Sequence, residues 1–571
     1  MEPFPKPISR RHVLAVLSSV GFASTLLPGA LTAASQGKGA ITTEMMKQAE
    51  GVAGLAIPDQ AREEIIDRLN RNHAIYRTLR NLEMNPQTPC CLYFNPIPPG
   101  KALSPQKRYF NPSHPLEKTP ERIEDVAFYP ITRLSALLKA REISSSQLTR
   151  MYLSRLKTYN PILNCVVTLT EDLAMRQAER ADKEIADGCY RGPLHGIPWG
   201  VKDLFATKGI PTTWGLKRYR NRVIDRDATV VKRLEDAGAV LVAKLSLGEL
   251  ATGDRWYGGR TRNPWDPRRG SGGSSAGSAS AVAAGLVGFS IGTETNGSLI
   301  APAMMCGASG LRPTFGRVSR CGAMPVSWSH DKVGPICRSA EDCAIVLRAI
   351  CGPDPMDRTV IDLPFDWNPD SDLTGLRVGV SRSLFDMSTE DKRLSLILAA
   401  HRKAVETIDA MGVGIAEIED GPDDPMTALV EASSLGMMVE SAAAHEDLYF
   451  ENETGGDVFS HSNWPDRFRA ARTVPAVAYV QANRARTLLM EEVGRRMEGI
   501  DVLIGRLSLS PLLSNITGHP ELVIPHGLDG DGLPIGIVLT GNLFCESAAI
   551  RLAHAYQTAT GYHLARPGLT R

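Results

Sequence analysis

Three things are scarce in this 571-residue chain: metal-binding spacing, surplus charge of one sign, and long unbroken apolar runs. No His-Glu-x-x-His or Cys-x-x-Cys occurs and no clustered pair of carboxylates stands out, so nothing in the sequence calls for a metal or other cofactor. The ten cysteines lack zinc spacing or an even, close repeat. Cys90 and Cys91 are adjacent, while Cys165, Cys306 and Cys343 sit in apolar surroundings, and most read as small buried hydrophobes. The 64 basic and 63 acidic residues leave a formal charge of +1, which implies no polyanion. The short clusters at Arg260-Thr261-Arg262 and Arg268-Arg269 read as structural or solvated, not as a nucleic-acid surface. The apolar run from Ala15 to Leu31 is interrupted by Ser18, Ser19, Pro28 and Gly29 and is short for a membrane span. With Arg10-Arg11 before it and Thr32-Ala33-Ala34 after it, residues 1–34 read as a twin-arginine export signal. The mature chain is then expected in the periplasm without a stable membrane span, an uncleaved anchor being the competing reading.

What the chain does have is concentrated between Gly270 and Pro302, in GSGGSSAGSASAVAAGLVGFSIGTETNGSLIAP. Glycine, alanine and serine at this density allow close backbone approach and positive φ at turns. A linker can share that composition, but the insert AVAAGLVGFSI needs a core. The glycines therefore belong to packed structure. Ser274 and Ser298 stand on glycine-rich turns at the ends of buried elements, where nucleophiles are commonly presented.

Around that stretch the pattern alternates helix and strand. Pro58 to Leu82 has helical spacing of apolar residues, and the prolines between Pro86 and Pro120 forbid regular structure. Ser144-Ser145-Ser146-Gln147 is a capping box ahead of a helix, and Glu171 to Ala186 reads as a second helix. Asp227 to Ala237 reads as a helix closed by Gly238, followed by a buried strand at Ala239-Val240-Leu241-Val242. Such alternation argues for an α/β sandwich. Glu451 to Asp466 is polar and reads as an exposed loop.

The Gly270–Pro302 stretch resembles the signature of the amidase signature family, hydrolases with a Ser-Ser-Lys triad. Its two serines match Ser274 and Ser298, and its lysine matches Lys202 in Gly196-Ile197-Pro198-Trp199-Gly200-Val201-Lys202-Asp203. The resemblance continues through Gly310-Leu311-Arg312-Pro313-Thr314 and Gly532-Leu533-Pro534-Ile535-Gly536, covering about Ile131 to His563. It implies a single mixed β-sheet flanked by helices on both sides. Residues 35–125 are then an N-terminal helical and proline-rich extension, and 126–571 the catalytic domain. It also implies that Ser298 attacks an amide carbonyl, Ser274 relays the proton through a residue with a cis peptide bond, and Lys202 is the base. Backbone N–H groups of Thr295, Asn296, Gly297 and Ser298 would form the oxyanion hole, and Ser275 would support the relay serine.

The residues suit that chemistry. A serine hydroxyl needs an adjacent base, and lysine serves only if burial lowers its pKa. The apolar approach to Lys202 favours this, and Asp203 beside it need not face the amine, because neighbouring strand residues point to opposite faces. The family's usual G-T-D-T-G-G-S-I-R is here Gly292-Thr293-Glu294-Thr295-Asn296-Gly297-Ser298-Leu299-Ile300. Glutamate replaces aspartate, Asn296 replaces a glycine, and the arginine after the nucleophile is gone. Asparagine tolerates left-handed backbone, so the turn can survive.

The expected substrate is a small-molecule carboxamide. The sequence defines no oligomeric state, and a homodimer is compatible with it. Three other readings stay open. Gly273-Ser274-Ser275-Ala276-Gly277 fits a nucleophile elbow centred on Ser275, although Asn263 to Ser271 before it cannot be a buried strand. A glutamine-dependent amidotransferase component of the A type shares the signature, but the export signal and the missing arginine argue against it. A non-catalytic protein on the same fold would be expected to lose a triad residue, and none is lost. The adjacent His330 and Asp331 resemble acid/base machinery, yet adjacency is poor support for contact.

Overall fold

The computed structural model describes residues 41–53, 56–80, 92–99, 101, 103, 109–386, 388–419, 426–453, 458–505 and 511–569. The export signal read over 1–34 and the Cys90-Cys91 pair lie outside these residues. Two compact units form, one of Met1–Asn85 with Thr473–Pro475 and one of Pro86–Arg472 with Ala476–Arg571. In the first, the helices Thr43–Ala53 and Asp59–Arg80 are tied by Glu50 and Arg62 at 2.6 Å. The second of these helices is the one anticipated between Pro58 and Leu82.

The larger unit is built on one mixed sheet of 11 strands. In chain order its strands are β1 (Val166–Leu169), β2 (Pro198–Lys202), β3 (Val240–Leu245), β6 (Phe289–Glu294), β7 (Ser309–Arg312), β8 (Lys332–Cys337), β9 (Arg377–Ser381), β10 (Gly414–Ile418), β11 (Val502–Ile504), β12 (Glu521–Leu528) and β13 (Pro534–Gly541). A separate two-stranded ribbon supplies β4 (Arg255–Trp256) and β5 (Gly259–Arg260). The spatial order is β1-β3-β2-β6-β8-β7-β12-β13-β11-β9-β10. β2 runs parallel to both neighbours, β3 and β6, whereas β6 and β8 are antiparallel.

Alternation along the strands shows that both faces are covered. Leu241 of β3 and Leu522 and Ile524 of β12 belong to one apolar cluster, whereas Val240, Val242 and Val523 belong to another. Side chains on a strand alternate between faces, so each cluster covers one side of the sheet. This is the expected sandwich of helices about a single sheet. The box at Ser144 is formed: its Oγ accepts from Gln147 N at 3.0 Å and Gln147 Oε1 accepts from Ser144 N at 2.9 Å, starting helix Ser145–Leu163. The helix expected from Glu171 to Ala186 is present, and the next runs Thr229–Asp236 before Gly238, at φ +79°.

The stretch read as an exposed loop at 451–466 lies between two helices, with Ser460, His461 and Asn463 exposed. Helix Glu446–Glu453 ends inside it and Trp464–Arg472 begins inside it. The described part between them is anchored by the buried Glu249 carboxylate, which accepts from Ser460 N at 3.1 Å and His461 N at 2.8 Å. Trp464 is buried and donates to Glu249 O at 3.1 Å. The segment is thus held through its backbone while its exposed polar residues meet solvent. No helix among the described residues is long and apolar enough to cross a membrane.

Candidate active site

Lys202 closes β2 in the interior of the sheet, and its side chain is wholly buried. Its Nζ lies 2.8 Å from Ser274 Oγ, 3.0 Å from Ser275 Oγ and 2.9 Å from Thr293 Oγ1, with Thr293 O at 3.4 Å. No carboxylate among the described residues pairs with it. Burial brings its pKa down from 10.5 to about 7, although the Asp331 and Glu294 carboxylates pull the other way. Asp203 is diverted: it pairs with Lys244 at 3.1 Å and accepts from Thr213 N at 3.0 Å. The two adjacent residues do face different partners.

The glycine-rich stretch folds so that its two turns meet. Ser274 follows a cis peptide bond from Gly273, and Ser275 is the N-cap of helix Ala276–Ala283. Ser275 N donates to Ser298 O at 2.9 Å, joining the first turn to the second. Ser275 Oγ accepts from Thr293 N at 3.2 Å and donates to Thr293 O at 3.0 Å, so its support runs to Lys202 and Thr293. Gly292 makes room for it, since a Cβ there would lie 2.7 Å from Ser275 Oγ. With Ser275 fully buried and no strand leading into it, the nucleophile-elbow geometry is missing.

Thr295 to Ser298 leave β6 as a tight turn ahead of helix Ile300–Cys306. Left-handed backbone falls at Gly297, φ +79°, and not at the exposed Asn296. The loss of a glycine at 296 therefore asks nothing unusual of asparagine. Among the described residues, the N–H groups of Asn296, Gly297 and Ser298 take no hydrogen-bond partner. Those of Leu299 and Ile300 are both held by Glu294 Oε2 at 2.9 Å. Glu294 Oε1 accepts from Arg312 at 2.6 Å and from Asn515 at 2.7 Å, and Arg312 also reaches Glu521 at 2.9 Å. Burial pushes the Glu294 carboxyl up, but Arg312 and these donors outweigh it and hold it at about 2.

A model of the family described as Amidase matches residues 147–506. The chain is 34% identical over 490 residues to the A-type subunit of glutamyl-tRNA(Gln) amidotransferase from Geobacter metallireducens, with 77% of this chain and 99% of that protein covered. The protein of the same name from Methylococcus capsulatus is 35% identical over 484 residues, covering 76% and 98%. The structure of native peptide amidase from Stenotrophomonas maltophilia is similar at a TM-score of 0.69 and 30% identity, covering 78% of this chain and 99% of that one. The chain belongs to the amidase signature family.

Within this amidase-family enzyme several functional contacts escape sequence reasoning. Thr293 and Glu294 lie inside the signature but look like ordinary strand residues, and nothing local marks Lys202 as the partner of Thr293 or Arg312 as that of Glu294. Asp331 does not pair with His330. Its carboxylate accepts from Thr295 Oγ1 at 2.6 Å, Val326 N at 2.7 Å and Ser327 N at 3.0 Å, bracing the turn. His330 instead meets Ser327 Oγ at 2.8 Å and Ser329 Oγ at 3.0 Å, and burial lowers its pKa well below 6.5. His195 is structural, its Nδ1 accepting from Arg191 N at 3.1 Å. Beside the turn, a cleft of about 190 Å³ is lined by Thr293, Thr295, Asp331, Arg320 and Trp328. No group of three His, Cys, Asp or Glu among the described residues is placed to hold a metal ion.

Proposed function

We propose that this protein hydrolyses the C–N bond of a carboxamide through an acyl-enzyme on Ser298. The observation that carries the proposal is a fully buried lysine, unpaired with any described carboxylate, 2.8 Å from Ser274 Oγ. A lysine held near neutrality can accept a proton at physiological pH. Ser298 Oγ attacks the carbonyl carbon while its proton passes through Ser274 to Lys202. The proton returns by the same route to the departing amine, and water then cleaves the ester. The free N–H groups of the Asn296–Ser298 turn suit an oxyanion, one such donor being worth roughly 3 kcal/mol. In the same proposal the mature protein is exported, on the strength of Arg10-Arg11 and the apolar run behind them.

A second reading is favoured by the curated relatives, which are named amidotransferase subunits. On that reading the same acyl-enzyme forms from glutamine and the released ammonia is passed to a partner. One experiment separates the two. A panel of aliphatic, aryl, peptide C-terminal and carbamate amides is assayed for ammonia or amine release, with acyl-enzyme captured by mass spectrometry. Turnover without ATP or partner subunits, lost in Ser298→Ala and Lys202→Ala and severely impaired in Ser274→Ala, supports hydrolysis. Release from glutamine alone, dependent on added partner subunits, supports the transferase. Full activity in folded Ser298→Ala excludes both.

A further inference from the structure

The Ser327–Asp331 loop is pinned from two helices that do not touch the lysine. Glu440, on helix Met426–Ala444, accepts from Ser327 Oγ at 2.6 Å, Ser329 N at 2.9 Å, Ser329 Oγ at 2.7 Å and Tyr479 Oη at 3.2 Å. Arg486, on helix Ala476–Arg496, donates to Ser329 Oγ at 3.0 Å, Ser329 O at 2.9 Å and Ile516 O at 2.6 Å. Both side chains are buried, 6% and 3% exposed, so both charges are committed to protein groups. Trp328 stands between the two pinned serines.

Trp328 is also a wall of two spaces. One is the cleft beside Thr293, Thr295 and Asp331. The other is a cavity of about 850 Å³ whose wall includes Phe94, Val439, Tyr479, Val480 and Met490. That volume lies within the roughly 300–1,000 Å³ of small-molecule sites. Glu440 and Arg486 line the cavity as well, but their hydrogen bonds run to the loop and leave a ligand no free counter-charge. A charged group entering there would lose its hydration without compensation, whereas an aromatic one would gain by burial.

We infer that Trp328 is a specificity-determining residue that separates the cleft beside the Ser298 turn from an apolar subsite for an uncharged aromatic arm of the amide. The inference rests on the amide-hydrolase reading and names the substrate class for it.

The full-length protein is assayed with acetamide, phenylacetamide, 4-phenylbutyramide, acetanilide and the charged succinamate. The quantity read is kcat/KM for each aryl amide divided by that for acetamide. Val480, 56% exposed at the cavity, can be enlarged without disturbing the core. Val480→Trp is expected to lower the ratio about tenfold for the preferred aryl arm, through KM, and Trp328→Ala to change which arm length is preferred. Ratios unmoved in both variants, or succinamate used as well as the aryl amides, overturn the subsite. Binding of 4-phenylbutyramide to Ser298→Ala protein, with and without Val480→Trp, decides independently of turnover. Equal binding overturns the subsite even if amides are hydrolysed. Weaker binding on filling sustains it, and a failure of every amide to react then counts against the hydrolase reading alone.

Discussion

If Lys202 acts as a neutral base, acid should silence the enzyme at a pH set by burial. The site brings the lysine from 10.5 to about 7, so protonating it in the folded protein costs about 5 kcal/mol more than in water, at roughly 1.4 kcal/mol per unit. Half the molecules are then competent near neutrality, and between pH 7 and pH 5 the rate should fall roughly fifty-fold. Asp331 opposes burial by favouring the ammonium. Asp331→Asn removes that charge, and the acidic limb should move to lower pH by on the order of one unit. Thr295 Oγ1 can keep its contact, because a hydroxyl accepts as well as donates. The assay is kcat/KM for a slow amide from pH 4.5 to 8.5, with viscosity controls showing that chemistry limits the rate. A flat profile, or a limb moving upward in Asp331→Asn, would refute the reasoning. Stability should follow the same sign. Between about 7 and 10.5 the unfolded chain binds more protons at this residue, so its contribution is least favourable below 7 and improves as pH rises through that window.

Two further outcomes are expected. Glu294→Ala leaves the buried Arg312 with Glu521 and His519 O, and loss of a buried ion-pair partner costs about 3–5 kcal/mol, so a lowered guanidinium midpoint with unchanged m-value is expected, near the low end because Glu521 remains at 2.9 Å. An unmoved midpoint would deny the network its structural role. Gly292→Ala places a methyl 2.7 Å from Ser275 Oγ and displaces the hydroxyl that braces Lys202. Activity should drop by roughly 100-fold with folding retained, as expected for a misplacement of about 1 Å, and near-normal kcat would show that Ser275 does not matter to the base.

What the sequence made legible was chemistry tied to unusual residue types at fixed places. Two serines on glycine turns and a lysine at the end of an apolar strand carry their own signal, and all three lie where turns and strand meet. The packing of the apolar insert Ala281–Ile291 was legible as well, since only a core accounts for it, and all of it is buried. The supporting carboxylates were not. Glu294 and Asp331 look like any acidic residue, and their meaning comes from donors brought by the fold, Arg312, Asn515 and Thr295. Asn296 was read as needing tolerance for left-handed backbone, but the turn places that demand one residue later. In the 451–466 segment the exposure was legible from polarity, but the hold of Glu249, 211 positions earlier, on the Ser460 backbone N–H was not.

The Glu294 network also bears on when the enzyme can become active during its own synthesis. The carboxylate that holds the amides just behind Ser298 is itself held by Asn515, and its partner Arg312 by Glu521 and by His519 O at 2.7 Å. These partners come from the last tenth of the chain. A ribosome that has made Lys202, Ser274 and Ser298 must therefore add more than 200 further residues before the Ser298 turn has its full support. Contacts of such long sequence separation form late and slowly. On the proposed reading, hydrolytic competence belongs to the finished chain, and a nascent chain displaying Ser298 would lack it.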